Sequence, residues 1–410
     1  MLGLAASASR PRADSAARPM TYRVGFLTTH PIQYQVPVFR HLAQQPDLDF
    51  TVFFCQLPDQ QAQGDGFGVP FSWDIPLLDG YRYEVLRNVA RRPSVTEFTG
   101  CDTPELVDRI RRGGFDALVV NGWVVKSCLQ ALWACRRYGI PCIVRGEAND
   151  IRSRAWWKRL LQRQLVQQYA ACLYIGQASE RFYRNRGVRP ERLFPARYCV
   201  DNERFSTAAA RVNRAAARQQ FGLRSDSTVF LFSGKLIRKK HPLELLSAMQ
   251  IAVAAGMNAE LLIVGDGELR SECESLVNDH GLPVRFAGFL NQSQIVEAYV
   301  AADCLVLPSD HGETWGLVVN EAMACGRPAI VSDQVGCAGD LVIPRETGDV
   351  FPFGNWQQLS DSLREAAARP ERLQLWGAAA RQRVAQYSPA AAARGIQQAV
   401  EYVCEQQRRR

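Results

Sequence analysis

The sequence predicts an α/β protein with two domains, each organised around a parallel, doubly wound sheet. Val24–Thr29 has the pattern of a buried strand and passes through a short loop into a helix. The same alternation restarts at Thr228–Ser233, after an Ala- and Arg-rich bridge at about 206–226. A third apolar strand, Asp303–Pro308, leads through a glycine-containing loop into a helix that ends at Gly326. A chain of 410 residues is long enough for two or three such domains.

The first 19 residues are predicted to form a disordered extension ahead of a natural start at Met20. They are rich in Ala, Ser and Arg and lack the apolar segment of a secretory signal. An organelle transit peptide is an alternative on composition alone. We place the first domain at 20–203 and the second at 204–387.

Composition indicates a globular protein of the cytoplasm. Apolar residues make up 47% of the chain and charged residues 22%, and no apolar run approaches the length of a membrane span. The twelve cysteines contain no C-x2-C pair and fall in apolar strands and helices. We expect them to be reduced and buried, and we expect neither a zinc site nor any other metal site.

The positive charge is confined to the first half of the chain. Residues 1–203 contain 27 Lys and Arg against 19 Asp and Glu, whereas residues 204–410 contain 22 of each. This imbalance indicates an anionic partner for the first domain, such as a membrane surface or an acidic acceptor. Nucleic acid is the competing interpretation, but no recognised binding motif is present, and we expect no nucleic-acid partner.

Polar residues follow three predicted strands of the first half. His30 follows the first strand, and Asn121 ends a strand that comes after a long polar insertion at 56–100. Arg145 and Glu147 follow the next strand. The carboxyl ends of parallel strands are where such sheets bind ligands. The alternatives are a loop cap for His30 and an internal ion pair between Arg145 and Glu147.

Residues 151–169 predict an amphipathic helix with cations beside its apolar face. Trp156 and Trp157 share this face with three leucines, and Lys158 and Arg159 flank it. Tryptophans beside cations suit a lipid interface, so these four residues predict contact with an anionic membrane surface. Packing of the apolar face onto the sheet is the alternative.

The second half begins with a cationic loop. Gly234 ends the strand at 228–233, and Lys235 and Lys240 follow in the loop before the next helix. A cationic loop after a strand-terminal glycine is typical of phosphate binding. A solvated run of charge is the alternative.

A second glycine loop carries two carboxylates. Glu313 lies in the loop and Glu321 in the following helix, with seven residues between them, and Gly316 precedes the helix. The free N–H groups of a helix N-terminus suit an anion. Carboxylates suit the paired hydroxyls of a sugar, because they only accept hydrogen bonds. The pattern predicts a nucleotide-sugar site, and a buried helix with solvated glutamates is the alternative.

These motifs resemble a known family. The Glu-x7-Glu spacing, followed by the run Asn320–Pro328, is similar to retaining glycosyltransferases of the GT-B fold, family 4. The resemblance covers about residues 22–405 and is strongest from 228 to 353. It implies two Rossmann-like domains facing across a cleft, the first binding the acceptor and the second the nucleotide-sugar. It also implies that a helix at 388–410 crosses back to the first domain. Loops as long as the insertion are usually functional or mobile, so we expect the insertion to border the acceptor cleft.

The resemblance assigns roles to particular residues. The residues that would be catalytic are Lys235, Lys240 and Glu313. The residues that would bind the donor are Glu321, Gly234, Gly316, Leu317 and Phe289. The residues that would line the acceptor and sugar side are His30, Asn121, Arg145 and Glu147. Asn121 stands where much of the family has a histidine, and Thr28-Thr29-His30 replaces a glycine pair.

The implied activity is transfer of a sugar from a nucleoside diphosphate to a hydroxyl acceptor, with retention, in glycan, polysaccharide or glycolipid synthesis. The acceptor would be a glycan or a lipid-linked molecule, and no cofactor would be required. The enzyme would act in the cytoplasm or peripherally on the inner face of the membrane. A non-catalytic nucleotide-sugar-binding or assembly protein on the same fold, and a retaining hydrolase with two carboxylates, are the alternatives.

Overall fold

A computed structural model describes residues 21–57, 64 and 70–409. The predicted extension at 1–19 lies outside the described residues, as do parts of the insertion at 58–63 and 65–69. Within the described residues, every helix is too short or too polar to span a lipid bilayer.

The described part of the first half forms a seven-stranded sheet. Its strands are β1 (Tyr22–Thr28), β2 (Leu48–Phe54), β3 (Arg82–Val85), β4 (Ala117–Asn121), β5 (Cys142–Gly146), β6 (Ala171–Tyr174) and β7 (Leu193–Pro195). The helices that connect them are α1 (Val36–Ala43), α2 (Glu105–Arg112), α3 (Lys126–Tyr138), α4 (Trp156–Val166) and α5 (Gln177–Asn185). All strand pairs are parallel, in the order β3-β2-β1-β4-β5-β6-β7.

The described part of the second half forms a six-stranded parallel sheet. Two helices, α6 (Asn202–Arg211) and α7 (Arg214–Gln220), lead into it. Its strands are β8 (Thr228–Ser233), β9 (Ala259–Val264), β10 (Val284–Gly288), β11 (Cys304–Leu307), β12 (Ala329–Ser332) and β13 (Gly348–Phe351). The remaining helices are α8 (Pro242–Ala254), α9 (Arg270–His280), α10 (Ile295–Ala301), α11 (Leu317–Ala324), α12 (Ala338–Leu341), α13 (Trp356–Ala367), α14 (Pro370–Val384) and α15 (Pro389–Arg408).

In both sheets the strand order reverses between the first strand and the fourth. The second sheet runs β10-β9-β8-β11-β12-β13, so its first and fourth strands are neighbours, as β1 and β4 are in the first sheet. Loops after two such strands lead to opposite faces of a sheet and leave a crevice between them. The two α/β domains with Rossmann-like order confirm the predicted fold.

The last helix packs on the first domain. Ala392, Ile396 and Val400 of α15 belong to the same buried cluster as strands β1 and β2. Gly395 allows the closest contact, because a Cβ at this position would lie 1.6 Å from the carbonyl oxygen of Pro195 in β7. The chain therefore crosses between the domains twice.

The cysteines contribute to the hydrophobic cores. All twelve are buried with free thiols, and their burial is as composition predicted. Burial raises the pKa of most of these thiols, Cys128 to about 12 among them, so they remain protonated and serve as small apolar side chains.

Candidate functional site

The crevice of the first sheet contains His30 and Asn121. Asn121 ends β4, and its amide nitrogen lies 3.5 Å from the hydroxyl of Thr28 at the end of β1. The Nδ1 atom of His30 lies 2.9 Å from the hydroxyl of Thr29. Burial lowers the pKa of His30 to about 4. His30 is therefore a neutral imidazole at pH 7, able to donate one hydrogen bond and accept another.

Arg145 and Glu147 lie at the end of the neighbouring strand. Arg145 was expected in the turn but belongs to β5, where its side chain is 2% exposed and donates to the carbonyl oxygen of Ala196 at 3.3 Å. Among the described residues, the two form no direct ion pair, so that alternative was wrong. Glu147 instead accepts hydrogen bonds from the hydroxyl of Tyr198 and from that of Thr314, the latter at 3.0 Å.

Tyr198 connects these groups and was missed from sequence. Its ring lies under the Arg145 guanidinium at 4.7 Å and beside the rings of Tyr34 and Trp315. Burial raises the pKa of Tyr198 well above its usual value, so the hydroxyl stays protonated and donates to Glu147. No motif marks a tyrosine whose partners lie 51 residues away and in the other domain.

A second contact between the domains was also missed. Asp340 of α12 is buried and accepts hydrogen bonds from the backbone N–H of Gln177, at 3.0 Å, and from the hydroxyl of Tyr387. Gln177 is the first residue of α5, so the carboxylate lies at a helix N-terminus, where negative charge is stabilised. This contact holds the two domains together beside the site.

A cavity of 750 Å³ lies between the domains. All four residues predicted for the acceptor side line it, together with loop residues of the second domain; these are His30, Asn121, Arg145, Glu147, His311, Gly312 and Thr314. Val95 and Thr96 of the insertion also line the cavity, as expected for a segment bordering this cleft. Its size suits a sugar-containing ligand.

The crevice of the second sheet brings the cationic loop and the glycine loop together. Lys240 and Glu313 form an ion pair in which both side chains are largely buried. Gly234 lies against the Lys240 side chain, and its φ of +148° is one that side chains rarely adopt. Lys235 follows Gly234 in the same turn and is half-buried. This geometry argues against a solvated run of charge.

Gly316 sets the start of α11. Its φ of +97° is one that side chains rarely adopt, and a Cβ would lie 3.0 Å from atoms of Leu307 and Val335. Trp315 fixes the loop, since its indole N–H donates to Asn320 at 2.8 Å. Leu317 is the first residue of α11, so the backbone N–H groups of this turn begin an eight-residue helix.

Glu321 lies apart from Glu313, on the buried side of α11. It accepts a hydrogen bond from the hydroxyl of Tyr299 at 2.6 Å. Burial raises the pKa of Glu321, and the hydrogen bond from Tyr299 and the charge of Arg204 oppose this effect. Glu321 lines a separate cavity of 250 Å³ with Arg204 and Gln292.

Phe289 contacts the insertion of the first domain. Its ring centroid is 4.4 Å from that of Phe71. The amide of Asn291 donates to the carbonyl oxygen of Ser72 at 2.7 Å, and the backbone N–H of Ser293 donates to Asp74 at 3.0 Å. The insertion therefore covers part of the second domain as well as bordering the first cavity.

The second crevice has the positive charge that a phosphorylated ligand would need. In the ranges 21–57, 64 and 70–409, no three His, Cys, Asp or Glu side chains are grouped as metal ligands would be. Two lysines and the start of a helix supply positive charge at one crevice, and buried hydrogen-bonding groups surround the cavity of the other. Two Rossmann-like domains with facing crevices of this kind define a GT-B glycosyltransferase fold.

Comparison with known proteins gives the family. Residues 213–383 match the family model described as glycosyl transferases group 1, and residues 33–198 match a glycosyl transferase 4-like domain. The chain therefore belongs to the group 1 glycosyl transferases.

A Corynebacterium glutamicum GDP-mannose-dependent phosphatidylinositol monomannoside mannosyltransferase is 34% identical over 45% of this chain and 49% of its own. The chain thus matches about half the length of this relative. A glycosyltransferase from Rickettsia africae is 12% identical with a TM-score of 0.71, over 93% of this chain and 98% of its own. Anabaena HepE, crystallised with UDP, is 18% identical with a TM-score of 0.69, over 93% and 100%. These two likenesses support the fold.

Proposed function

We propose that this protein transfers a sugar from a nucleoside-diphosphate sugar to a hydroxyl acceptor, with retention of configuration. The observation that carries the proposal is the buried Lys240–Glu313 pair at the crevice of the second sheet, opposite the cavity of the first. A lysine ammonium in a water-poor site stabilises an anion more strongly than in bulk water.

The donor diphosphate would lie against Lys235, Lys240 and the N–H groups that follow Gly316. Departure of the diphosphate is the costly event, since negative charge develops on the leaving oxygen. Lys240 would exchange its contact with Glu313 for a phosphate oxygen, leaving Glu313 able to accept hydrogen bonds from the sugar. The leaving phosphate can itself take the acceptor's proton, so no separate base is needed.

The nucleoside would extend from the diphosphate towards Glu321 and Phe289. The Glu321 carboxylate can accept bonds from both ribose hydroxyls, and its cavity also contains polar groups of Arg204 and Gln292. The acceptor would enter the 750 Å³ cavity, where the neutral His30, Asn121 and Glu147 can bind its hydroxyls. The relative's activity on a glycolipid supports a glycan or lipid-linked acceptor. The predicted place of the reaction stays the cytoplasm or the inner face of the membrane.

The test is calorimetric binding of UDP, GDP and ADP to the wild type and to Glu321→Ala. Selective binding of one nucleotide, weakened about tenfold or more by the substitution, is expected. Glu272→Ala, on the exposed face of α9, is the matched control and should bind as the wild type does. Absence of binding by all three nucleotides would overturn the proposed donor site.

Asn121 favours a second candidate function. Because it stands where similar enzymes have a histidine, a non-catalytic nucleotide-sugar-binding protein is the second proposal. Incubation with the nucleotide-sugar of the selected base separates the two proposals. Transfer or slow donor hydrolysis supports the enzyme, and NMR of the product's anomeric proton tests retention. Tight binding without turnover supports the second proposal.

A further inference from the structure

Helix α4 carries an apolar surface that nothing in the described structure covers. Trp156, Trp157, Leu160 and Leu161 are 76%, 48%, 49% and 61% exposed. In the helix only Val166, near its end, is buried. Packing onto the sheet therefore does not account for the apolar pattern of the first two turns.

The exposed side chains share one face of the helix. At 100° per residue, positions 156, 160, 157 and 161 fall within one apolar arc, opposite the side on which Gln162 and Val166 contact the domain. Gln162 anchors that inner side by accepting hydrogen bonds from the buried Arg186. The helix is thus attached by one face and presents tryptophans and leucines on the other.

The charged residues of the segment that carries this face are all positive. The segment from 151 to 169 contains five cations and no acidic residue. Within the described residues, Lys158, Arg159 and Arg163 form no ion pair, and the Lys158 amine lies 5.2 Å from the Trp157 ring centroid. Long cationic side chains beside an apolar face can reach lipid phosphates while their methylene groups remain among apolar atoms.

We propose that this face of α4 is a membrane-docking surface that inserts into the headgroup region of an anionic lipid bilayer. A second copy of the chain fits less well, because a two-fold contact would bring the unpaired cations Lys158, Arg159 and Arg163 close to the same three cations of the other copy. An anionic bilayer satisfies both features at once, since it accepts the tryptophans and leucines and neutralises the flanking charge.

The docking surface adjoins the cavity between the domains. Arg152 and Arg154, just before α4, and Gln162 within it all line that cavity. Docking would therefore bring the cavity next to the lipid headgroups. An acceptor anchored in the same bilayer could then reach the site without leaving the membrane. This last step rests on the proposed function, whereas docking itself does not.

The experiment is co-sedimentation of the full chain with phosphatidylcholine vesicles, alone and mixed with phosphatidylglycerol. The wild type should bind the mixed vesicles and lose most binding at high salt or without the anionic lipid. Leu160→Gln/Leu161→Gln should bind at least about tenfold more weakly. Leu375→Gln, at a leucine that is 71% exposed on α14 of the second domain, is the matched control and should bind as the wild type does.

Tryptophan fluorescence and the oligomeric state distinguish membrane docking from self-association. Quenching of tryptophan fluorescence by brominated lipid should occur in the wild type and be largely lost in Trp156→Phe/Trp157→Phe. Equal vesicle binding by the double-leucine variant, or none by the wild type, would overturn the proposal. A wild-type dimer that becomes a monomer in this variant, without vesicle binding, would overturn it in favour of a self-association surface.

A measurement of nucleotide binding tests the donor site separately from the docking surface. The double-leucine variant should bind the selected nucleoside diphosphate as tightly as the wild type, which also shows that it is folded. Vesicle binding without nucleotide binding would refute the proposed function and leave the docking surface standing. Nucleotide binding without vesicle binding would refute the docking surface and leave the proposed donor site standing.

Discussion

His30 should make the stability of the protein depend on pH. Its pKa in the folded protein is about 4, because burial disfavours the charged imidazolium, whereas a histidine in the unfolded chain has a pKa of 6.5. Below pH 6.5 the unfolded chain binds a proton that the folded protein does not. The contribution of neutral His30 to stability is therefore fully present above pH 6.5 and is lost as the pH falls towards 4.

The size of the effect follows from the two pKa values. Relative to its value well above pH 6.5, the free energy of unfolding is lower by about 2 kcal/mol at pH 5 and by about 3 kcal/mol at pH 4. Urea unfolding of the wild type and of His30→Gln at pH 7.5 and pH 5 measures it. Glutamine keeps a hydrogen-bonding group near Thr29 but does not titrate. Contributions from Glu321 and Asp340 are common to both proteins and cancel in the comparison.

The wild type should lose about 2 kcal/mol more than His30→Gln when the pH is lowered from 7.5 to 5. His280→Gln is the control, because His280 is exposed on α9 and its replacement should leave the pH dependence as in the wild type. If His30→Gln and the wild type lose equal stability, then His30 titrates normally in the folded protein. The description of His30 as a neutral imidazole at the first crevice would then be refuted.

Three further substitutions test the second domain. Lys240→Ala should lower turnover at least about tenfold, because it removes the charge proposed to bind phosphate. Arg238→Ala, at an exposed arginine of the same loop, should not, and equal rates in the two variants would argue against phosphate binding by Lys240. Gly316→Ala should cost about 1–3 kcal/mol because of its positive φ and close contacts, and an unchanged melting temperature in calorimetry would show that the loop adapts. Asp340→Ala removes the acceptor of two hydrogen bonds and should cost about 2 kcal/mol in denaturant unfolding, more than Asp340→Asn, which keeps an acceptor.

The positions of the crevice residues could be predicted because strand ends are visible in the sequence. Apolar runs mark the strands, and in parallel sheets the residues after them meet at one edge. This rule alone places His30, Asn121 and Glu147 around one cavity, and Lys240 beside Glu313. The rule works because it needs only the local pattern and the fold class.

Other features depend on contacts that no local pattern records. Tyr198 binds Glu147 only once its segment and β5 are side by side, and Asp74 binds Ser293 across 219 positions of sequence. Helical spacing showed that α4 has an apolar face, but it could not say which face the domain would cover. That outcome depends on where Gln162 and Val166 find partners.

The return of α15 to the first domain has a consequence for how the protein is made. Ile396 and Val400 belong to the hydrophobic core of the first domain, whose first strand begins at Tyr22. The ribosome therefore has to synthesise the whole second domain before the core of the first domain is complete. Domains made first usually fold first. In this protein the first domain can be the last to finish folding, because the second domain can be complete while the first still exposes the groove for α15. A chain stalled before this helix would present that groove to chaperones and proteases.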